Sequence, residues 1–70
     1  MEKKKLNRIK AVLAEQDVTA VELAKALNKS NVSISRWCTN ESQPSLESLF
    51  EIANYLQVSV KELLVDNQNH

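Results

Sequence analysis

The chain contains no glycine and a single proline, Pro44, among its 70 residues. Sharp reversals and left-handed backbone conformations usually depend on these two residue types, so hairpin-rich β folds are disfavoured and helices joined by short turns are favoured. Asparagine is then expected at the left-handed positions that glycine normally fills. A chain of this length supports one hydrophobic core, which predicts a single domain.

Composition excludes several classes of protein. The only cysteine, Cys38, has no second cysteine to pair with and no companions at metal-ligand spacing, so neither a disulfide framework nor a zinc site is expected. The sequence has no glycine-rich loop to hold a nucleotide phosphate, and no nucleophile with a base or pair of carboxylates forms a catalytic pattern. We therefore expect no metal, no cofactor and no enzymatic activity.

Nothing in the sequence indicates a membrane segment or a secretion signal. No apolar run approaches the roughly 20 residues that span a bilayer. The N-terminal segment MEKKKLNRIK also lacks the hydrophobic stretch of a signal peptide. Together with the lone cysteine, this pattern predicts a soluble protein in the reducing cytoplasm, with no membrane contact.

Charge is balanced overall but distributed unevenly along the chain. Nine basic and nine acidic side chains are present, yet residues 1–37 hold eight of the basic ones and only four of the acidic ones. This asymmetry predicts one face suited to an anionic partner. An ordinary scatter of solvated charges explains the same numbers, and the neutral total argues against a polyanion partner, so both interpretations stay open at this point.

Apolar residues at three-and-four spacing predict an amphipathic first helix from about residue 4 to residue 15, with a buried face formed by Leu6, Ile9, Val12 and Leu13. Gln16 and Asp17 then interrupt the pattern. The lysines at positions 3–5 either form a flexible arm that touches phosphates or are simply solvated. Lys10 is the better candidate for a phosphate contact.

A second helix is predicted from capping signals. Thr19 and Glu22 have the spacing of a capping box, which starts a helix whose inward face is Leu23, Ala24 and Leu27. Asn28 follows the last apolar position and is predicted to end this helix in a left-handed conformation.

A third helix follows after a short turn. Ser30 is well placed as its N-cap, and the helix is predicted to run to about Thr39 with Ile34 inward. Asn40 is the predicted left-handed terminator. The stretch from residue 19 to residue 40 thus reads as two short helices joined by a tight turn.

Two further helices are predicted. Pro44 disfavours helical angles at the residue before it, and Ser45 then caps a fourth helix with a buried stripe of Leu46, Leu49, Ile52, Ala53 and Leu56. Ser59 and Glu62 repeat the capping-box spacing and predict a short fifth helix that contains Val60, Leu63 and Leu64. The polar residues 66–70 predict a disordered tail.

The combined pattern resembles a known family. The resemblance is carried by Leu23-Ala24, Ser30, Ile34-Ser35-Arg36-Trp37, Pro44-Ser45, Leu49, Ile52-Ala53, Leu56-x-Val58-Ser59 and Glu62-Leu63. These residues are similar to the helix-turn-helix domain of phage Cro and repressor-type regulators, the xenobiotic-response-element family, over about residues 6–65. The resemblance implies an all-α, compact five-helix, lambda-repressor-like DNA-binding domain over residues 1–65, with the helix-turn-helix at helices two and three and the tail 66–70 outside it.

Three positions depart from the family's pattern. Asn28 and Asn40 stand where the family frequently has glycine, and asparagine can replace it because it tolerates left-handed angles. Ala20 stands where members often carry a glutamine that braces a DNA phosphate and a recognition side chain. That missing contact and the neutral net charge favour an alternative, a protein-interaction module on the same scaffold that no longer reads DNA specifically.

We predict that the third helix reads DNA bases with four outward side chains, which are Asn31, Val32, Ser33 and Arg36. Ile34 and Trp37, three residues apart, define the inward face. Asparagine can form a bidentate pair with adenine, arginine can do so with guanine, and valine can pack on a thymine methyl group. The alternative for Asn31 and Ser33 is that they only keep an exposed helix start soluble.

The resemblance implies phosphate contacts from the starts of helices two and three and from the loop after the third, namely Thr19, Ser30, Thr39, Asn40 and Ser42. Lys10 and Lys29 are predicted to add phosphate contacts near the same surface. Thr19 and Ser30 are expected to cap their helices in either case. The ring of Trp37 is expected to seal the rim of the core, with its indole N–H free to reach a phosphate or water.

The expected function is sequence-specific transcriptional regulation, as a repressor that binds double-stranded DNA. A homodimer would place two third helices in successive major grooves, about 34 to 36 Å apart, on a pseudo-palindromic operator. By resemblance, the dimer interface would involve Gln57, Val58, Ser59 and Leu64. Phe50 and Tyr55 are additional apolar side chains of the fourth helix, and contact with a partner protein is one use for them.

Overall fold

The computed structural model describes residues 4–66, which form four α-helices followed by one short 3₁₀ helix. The helices are α1 (Ile9–Gln16), α2 (Ala20–Leu27), α3 (Asn31–Cys38) and α4 (Leu46–Leu56), and the 3₁₀ helix is Val60–Leu63. The all-α class and the five helical elements are confirmed. Lys3 and the predicted tail beyond Asp66 lie outside the described residues. Within residues 4–66 no helix has the length and apolar character needed to cross a membrane.

Serine and threonine side chains cap α2, α3 and α4. The Thr19 hydroxyl accepts from the amide of Glu22 at 3.0 Å, and the Glu22 carboxylate accepts from the amide of Thr19 at 2.8 Å, so the predicted capping box is complete. Ser30 and Ser45 accept at the starts of α3 and α4. The capping box predicted at Ser59 is wrong, because the Glu62 amide donates to the Ser59 carbonyl in a tight 3₁₀ turn and the side chain makes no cap bond.

All four α-helices end in the same backbone motif, which requires a left-handed residue. The residues with positive φ, between 58° and 63°, are Asp17, Asn28, Asn40 and Gln57. After each of them the next amide donates to a carbonyl five residues back, as Glu41 does to Arg36 at 2.9 Å. This is the Schellman arrangement, which satisfies carbonyls that a helix end leaves unpaired. The sequence analysis predicted the two asparagines and missed Asp17 and Gln57: aspartate enters this region less often than glycine does, and glutamine has no preference for it.

The first helix begins later than predicted. Residues 6–8 precede the helix, and Asn7 forms an antiparallel bridge with Leu64. The amide of Arg8 donates to the Leu63 carbonyl at 2.9 Å, and the amide of Val65 donates to the Leu6 carbonyl at 3.0 Å. Leu6, predicted on the buried face, is 51% exposed as a result. Helical spacing alone could not reveal that these backbone groups pair with the far end of the chain.

The core collects residues from every helix: Ile9, Val12, Leu13, Leu23, Ala24, Ile34, Trp37, Leu49, Ile52, Ala53, Leu56 and Leu63. Besides Leu6, the predicted Leu46 is absent from the core, and the predicted Leu27 is only partly buried against it. Leu46 is 69% exposed. The buried face of α4 consists instead of Ser48, Leu49, Ile52, Ala53 and Leu56. Leu64 lies in extended backbone after the 3₁₀ helix and is 40% exposed.

Replacing Gln57 with glycine is expected to stabilise the protein. An L-residue with a Cβ atom in left-handed backbone costs roughly 1 kcal/mol that glycine avoids, although glycine also gains freedom in the unfolded chain. We expect Gln57→Gly to raise the free energy of unfolding by several tenths to about 1 kcal/mol, and Asp17→Gly by less, since aspartate tolerates this region better.

The measurement is urea unfolding at fixed protein concentration. Ala14→Gly is the matched control, because Ala14 is exposed within α1 and glycine there should destabilise the helix by roughly 1 kcal/mol. A loss of stability in both Gln57→Gly and Ala14→Gly would contradict the left-handed assignment at residue 57.

Candidate nucleic-acid interface

Helices α2 and α3 pack directly on each other and are joined by a three-residue turn, residues 28–30. The turn is fixed at both ends. Asn28 takes left-handed angles (φ 58°, ψ 45°) and lets the Lys29 amide donate back to the Ala24 carbonyl at 2.9 Å. Ser30 then starts α3 by capping the Ser33 amide at 3.1 Å. The buried Leu23, Ala24 and Ile34 hold the two helices together, so the orientation of α3 is set by packing.

The exposed face of α3 differs from the predicted reading surface at two residues, Ser33 and Ser35. Asn31, Val32 and Arg36 are exposed as predicted, and Val32 is 61% exposed. Ser33 is half-buried, with its hydroxyl 3.1 Å from the Ser30 hydroxyl at the helix edge. Ser35, which the sequence analysis did not include, is exposed. Its position three residues after Val32 is the helical spacing that could have identified it.

The loop after α3 is wound around the carbonyl group of Arg36. That oxygen accepts from the amides of Glu41 and Ser42 at 2.9 and 3.3 Å. The Thr39 hydroxyl lies within 3.3 Å of three acceptors, which are the carbonyls of Ser35 and Arg36 and the carboxylate of Glu41. Thr39 and Ser42 are exposed here, as phosphate contacts require, but the Glu41 carboxylate adds a negative charge between them.

Asn40 does not offer its side chain to solvent. The residue is 8% exposed, and its Oδ1 accepts from the amides of Leu6 and Asn7 and from Gln43 Nε2 at 2.9 to 3.0 Å. Its Nδ2 donates to the Asn7 carbonyl at 3.1 Å. Both ends of this amide are used inside the protein, so the predicted phosphate contact by Asn40 has no free side-chain group to make it, and Asn40 is left out of the proposed phosphate contacts.

The remaining candidates for phosphate contact are exposed. Lys10 lies on the exposed face of α1, and Lys29 lies in the turn between α2 and α3. The Lys29 ammonium is 3.9 Å from the Glu51 carboxylate, a partly exposed pair that contributes little and can separate. Thr19 and Ser30 use their hydroxyl oxygens as caps, and the Ser30 hydroxyl also donates to the Ser33 hydroxyl at 3.1 Å, so a phosphate contact by Ser30 would replace that bond.

Ala20, at the position of the missing glutamine, lies at the first residue of α2 and packs partly against the core. Its methyl group borders an open apolar groove between α1 and α3 that Lys10, Ser35 and Thr39 also line. The space that a longer side chain at position 20 would occupy therefore lies beside Lys10, Ser35 and Thr39. No side chain in this groove replaces the amide of a glutamine.

Cys38 lies at the far side of the same groove and is half-buried. Burial raises the pKa of its thiol above the usual value for cysteine, and the nearby Lys10 ammonium opposes this shift. The net effect favours the protonated thiol over the reactive thiolate. Among the described residues no group of three or more His, Cys, Asp or Glu side chains is arranged to hold a metal ion.

The four residues of the predicted dimer interface lie near one another in sequence but differ in exposure. Gln57 and Ser59 are exposed, Val58 packs partly against the core, and Leu64 is 40% exposed. Phe50 and Tyr55 on α4 are 57% and 45% exposed, so these large apolar side chains are available for contact with another molecule. Trp37 is in the core, at 9% exposure.

Comparison with known proteins agrees with this geometry. Residues 9–63 match a family model described as helix-turn-helix. A crystal structure of a protein from Bacteroides fragilis, provisionally described as DNA-binding, is similar to this chain with a TM-score of 0.84 and 50% sequence identity. The similarity covers 86% of this chain and 97% of that one. No curated protein matches the chain.

The environment of Cys38 leads to a testable pH dependence. Because burial raises the thiol pKa, alkylation by iodoacetamide at pH 7.5 should be slower than that of free cysteine, and the rate should keep rising with pH after that of free cysteine has levelled off. Lys10→Ala should slow the reaction further, since it removes the positive charge that favours the thiolate. The rate is measured by mass spectrometry, with Lys61→Ala as an exposed control. Faster alkylation in Lys10→Ala than in the native protein would contradict the assigned cause.

Proposed function

We propose, on the premise that this chain belongs to the helix-turn-helix family of the Cro and phage-repressor type, that it represses transcription by binding a specific operator. The family membership makes the chain a DNA-binding regulator. The finer proposal depends on one observation, which is the exposed face of α3. There, side chains able to read base edges project from a helix whose orientation is fixed by a buried core.

The proposed base-reading set combines an amide, an apolar group, a hydroxyl and a guanidinium. Asn31 is suited to adenine, Val32 to a thymine methyl group and Arg36 to guanine. Ser35 joins them because it is exposed on the same helix, and a hydroxyl can bond to more than one base. Ser33 is retained as a predicted contact at the helix edge, where its bond to Ser30 restricts its reach.

Phosphate contacts are proposed for side chains on both sides of α3. Lys10, Thr19 and Lys29 would contact the DNA backbone on the side of α1 and α2, with Ser30 at the start of α3. Thr39 and Ser42 would do so from the loop after α3. The negative charge of Glu41 in that loop repels phosphate. We therefore propose a moderate affinity for DNA that depends more on base contacts than on total charge.

A homodimer is proposed because one short helix reads few base pairs. Two copies of α3, about 34 to 36 Å apart, would contact two half-sites on one side of the DNA. The interface would combine Gln57, Val58 and Ser59 with Leu64. The exposed leucine supplies an apolar contact, and the turn at Gln57 is held rigidly by its Schellman bonds.

Arg36 is the residue whose substitution tests base reading most directly. A duplex selected from a random pool by the native protein serves as the specific probe, and a random duplex serves as the reference. We expect Arg36→Ala to weaken binding to the selected duplex by about 1 to 3 kcal/mol and to relax the preference at one base position. Fluorescence anisotropy measures both affinities at two salt concentrations.

Arg36→Lys is the matched variant. Lysine keeps the charge but not the planar fork, so it should retain a phosphate contact and lose a bidentate contact to guanine. Equal weakening of Arg36→Ala on both duplexes, with recovery in Arg36→Lys, would show a phosphate role instead. If the native protein never prefers any selected duplex over random DNA, the regulator proposal fails and the interaction-module alternative gains support.

The dimer interface is tested by adding a charge at an exposed leucine. Leu64→Glu should raise the dimer dissociation constant by at least about tenfold, because two copies would bring like charges into an apolar contact. Leu46→Glu is the matched control, since Leu46 is also exposed and lies outside the proposed interface. Analytical ultracentrifugation gives the constants. Equal effects of the two substitutions would contradict the assignment of Leu64.

A further inference from the structure

Three amide side chains, the buried Asn7 and Asn40 and the exposed Gln43, form a hydrogen-bonded cluster where the segment 6–8 meets the end of α3. Asn7 is 2% exposed, and its Nδ2 donates to the Trp37 carbonyl at 3.0 Å and to Gln43 Oε1 at 2.7 Å. Its Oδ1 accepts from the Ile9 amide at 3.0 Å and so caps the start of α1. Gln43 Nε2 donates in turn to Asn40 Oδ1 at 3.0 Å. Asn7 is 33 positions from Asn40 and 36 positions from Gln43 along the chain.

The backbone of the N-terminal segment is paired on both edges. On one edge, Leu6 and Arg8 bond to residues 63–65, on either side of the bridge between Asn7 and Leu64. On the other edge, the side-chain amide of Asn40 accepts from the N–H of Asn7 and donates to its carbonyl, as the backbone of a neighbouring strand would. The side chain of Asn40 therefore takes the place of a third strand. The segment is held between the end of α3 and the C-terminal end of the fold.

The cluster also fixes the part of α3 that the proposed function uses. Asn40 is the left-handed residue of the Schellman turn. Its backbone N–H and the side-chain Nδ2 of Asn7 both donate to the Trp37 carbonyl. The same turn brings the amides of Glu41 and Ser42 onto the Arg36 carbonyl. A shift of Asn7 would thus be transmitted within a few bonds to Arg36 and to the loop that carries Thr39 and Ser42.

We propose that Asn7 is a positioning residue for DNA recognition. It touches no DNA, and it sets the orientation of the last turn of α3 and of the loop 39–42 through Asn40 and Gln43. This inference rests on the proposed function. It gives a role to a buried polar residue whose side-chain amide is satisfied at both ends, by the start of α1 at its oxygen and by α3 and Gln43 at its nitrogen.

The chemistry of the cluster requires an amide at position 7. One end of the side chain must accept from Ile9 while the other donates to two acceptors, Trp37 O and Gln43 Oε1. A carboxylate would face both acceptors with no hydrogen to donate. Gln43 could turn its amide toward such a carboxylate only by giving up its bond to Asn40. An apolar residue would leave the Ile9 amide unpaired.

Asn7→Asp makes the proposal testable through pH. At pH 8 the new carboxylate should be repelled by the two acceptors, and binding to the selected duplex should weaken by about tenfold, the factor that one lost buried hydrogen bond can produce. As the pH falls toward 5, the carboxyl group should take up a proton at a raised pKa and donate again to the Trp37 carbonyl. N7D should then regain affinity, whereas the native protein should show no such recovery.

A second variant keeps the test informative if N7D unfolds at pH 8. Gln43 is exposed, so Gln43→Ala should fold normally while it removes the link between Asn7 and Asn40. We expect a loss of about threefold or more on the selected duplex and less than about twofold on random DNA. Ile52→Val is the stability control: Ile52 is fully buried in α4, and this change should lower the melting temperature without altering affinity below it.

The outcomes separate the two levels of the proposal. A selective loss on the preferred duplex in Q43A, with pH-dependent recovery in N7D, supports the positioning role. Native affinity in folded N7D and Q43A overturns it and leaves the proposed function intact. Equal losses on selected and random DNA overturn it as well, because they would indicate general phosphate binding. If the native protein prefers no duplex at all, the proposed function and the positioning role both fail.

Discussion

The packing of α3 on α2 is the interaction on which the candidate interface depends. Ile34 and Leu23 are fully buried at this contact, and the small Ala24 lies with them in the core, where its size permits two helices to approach closely. Helices of eight residues are not stable alone in water, so α2 and α3 keep their structure only while this contact holds. The exposed side chains of α3 therefore gain their fixed orientation from residues that never meet a ligand.

Helix termination without glycine is the second constraint. Each α-helix ends at a residue forced into left-handed angles, and each uses the same pair of backbone bonds to satisfy its last carbonyls. Asparagine at position 40 does more than replace glycine, because its side chain also pairs with the backbone of Asn7. Glycine there would form the turn and lose that pairing. Because position 40 is asparagine and not glycine, its side chain can hold the N-terminal segment at Asn7.

Electrostatics around the interface are mixed. Lys10, Lys29 and Arg36 supply positive charge, while Glu51 lies beside Lys29 and Glu41 lies in the loop after α3. A surface of this kind attracts DNA less strongly through counterion release than a uniformly basic one. Discrimination between sequences must then come largely from the few base-reading side chains and from how firmly they are held. In our proposal, the hydrogen-bonded amides of Asn7, Asn40 and Gln43 hold the end of α3 in place and so contribute to this discrimination.

The sequence by itself determined the helical class, the starts of α2, α3 and α4, the asparagine terminators and most of the core, because caps and apolar spacing act locally. It also placed Asn31, Val32 and Arg36 on one exposed face. Only the tertiary structure decided what depends on distant residues: the pairing of the segment at Leu6 with residues 63–65, the inward turn of Asn40 and the exposure of Leu46. Local pattern fixes where a helix begins, whereas partners 30 or more residues away fix which side chains it can offer.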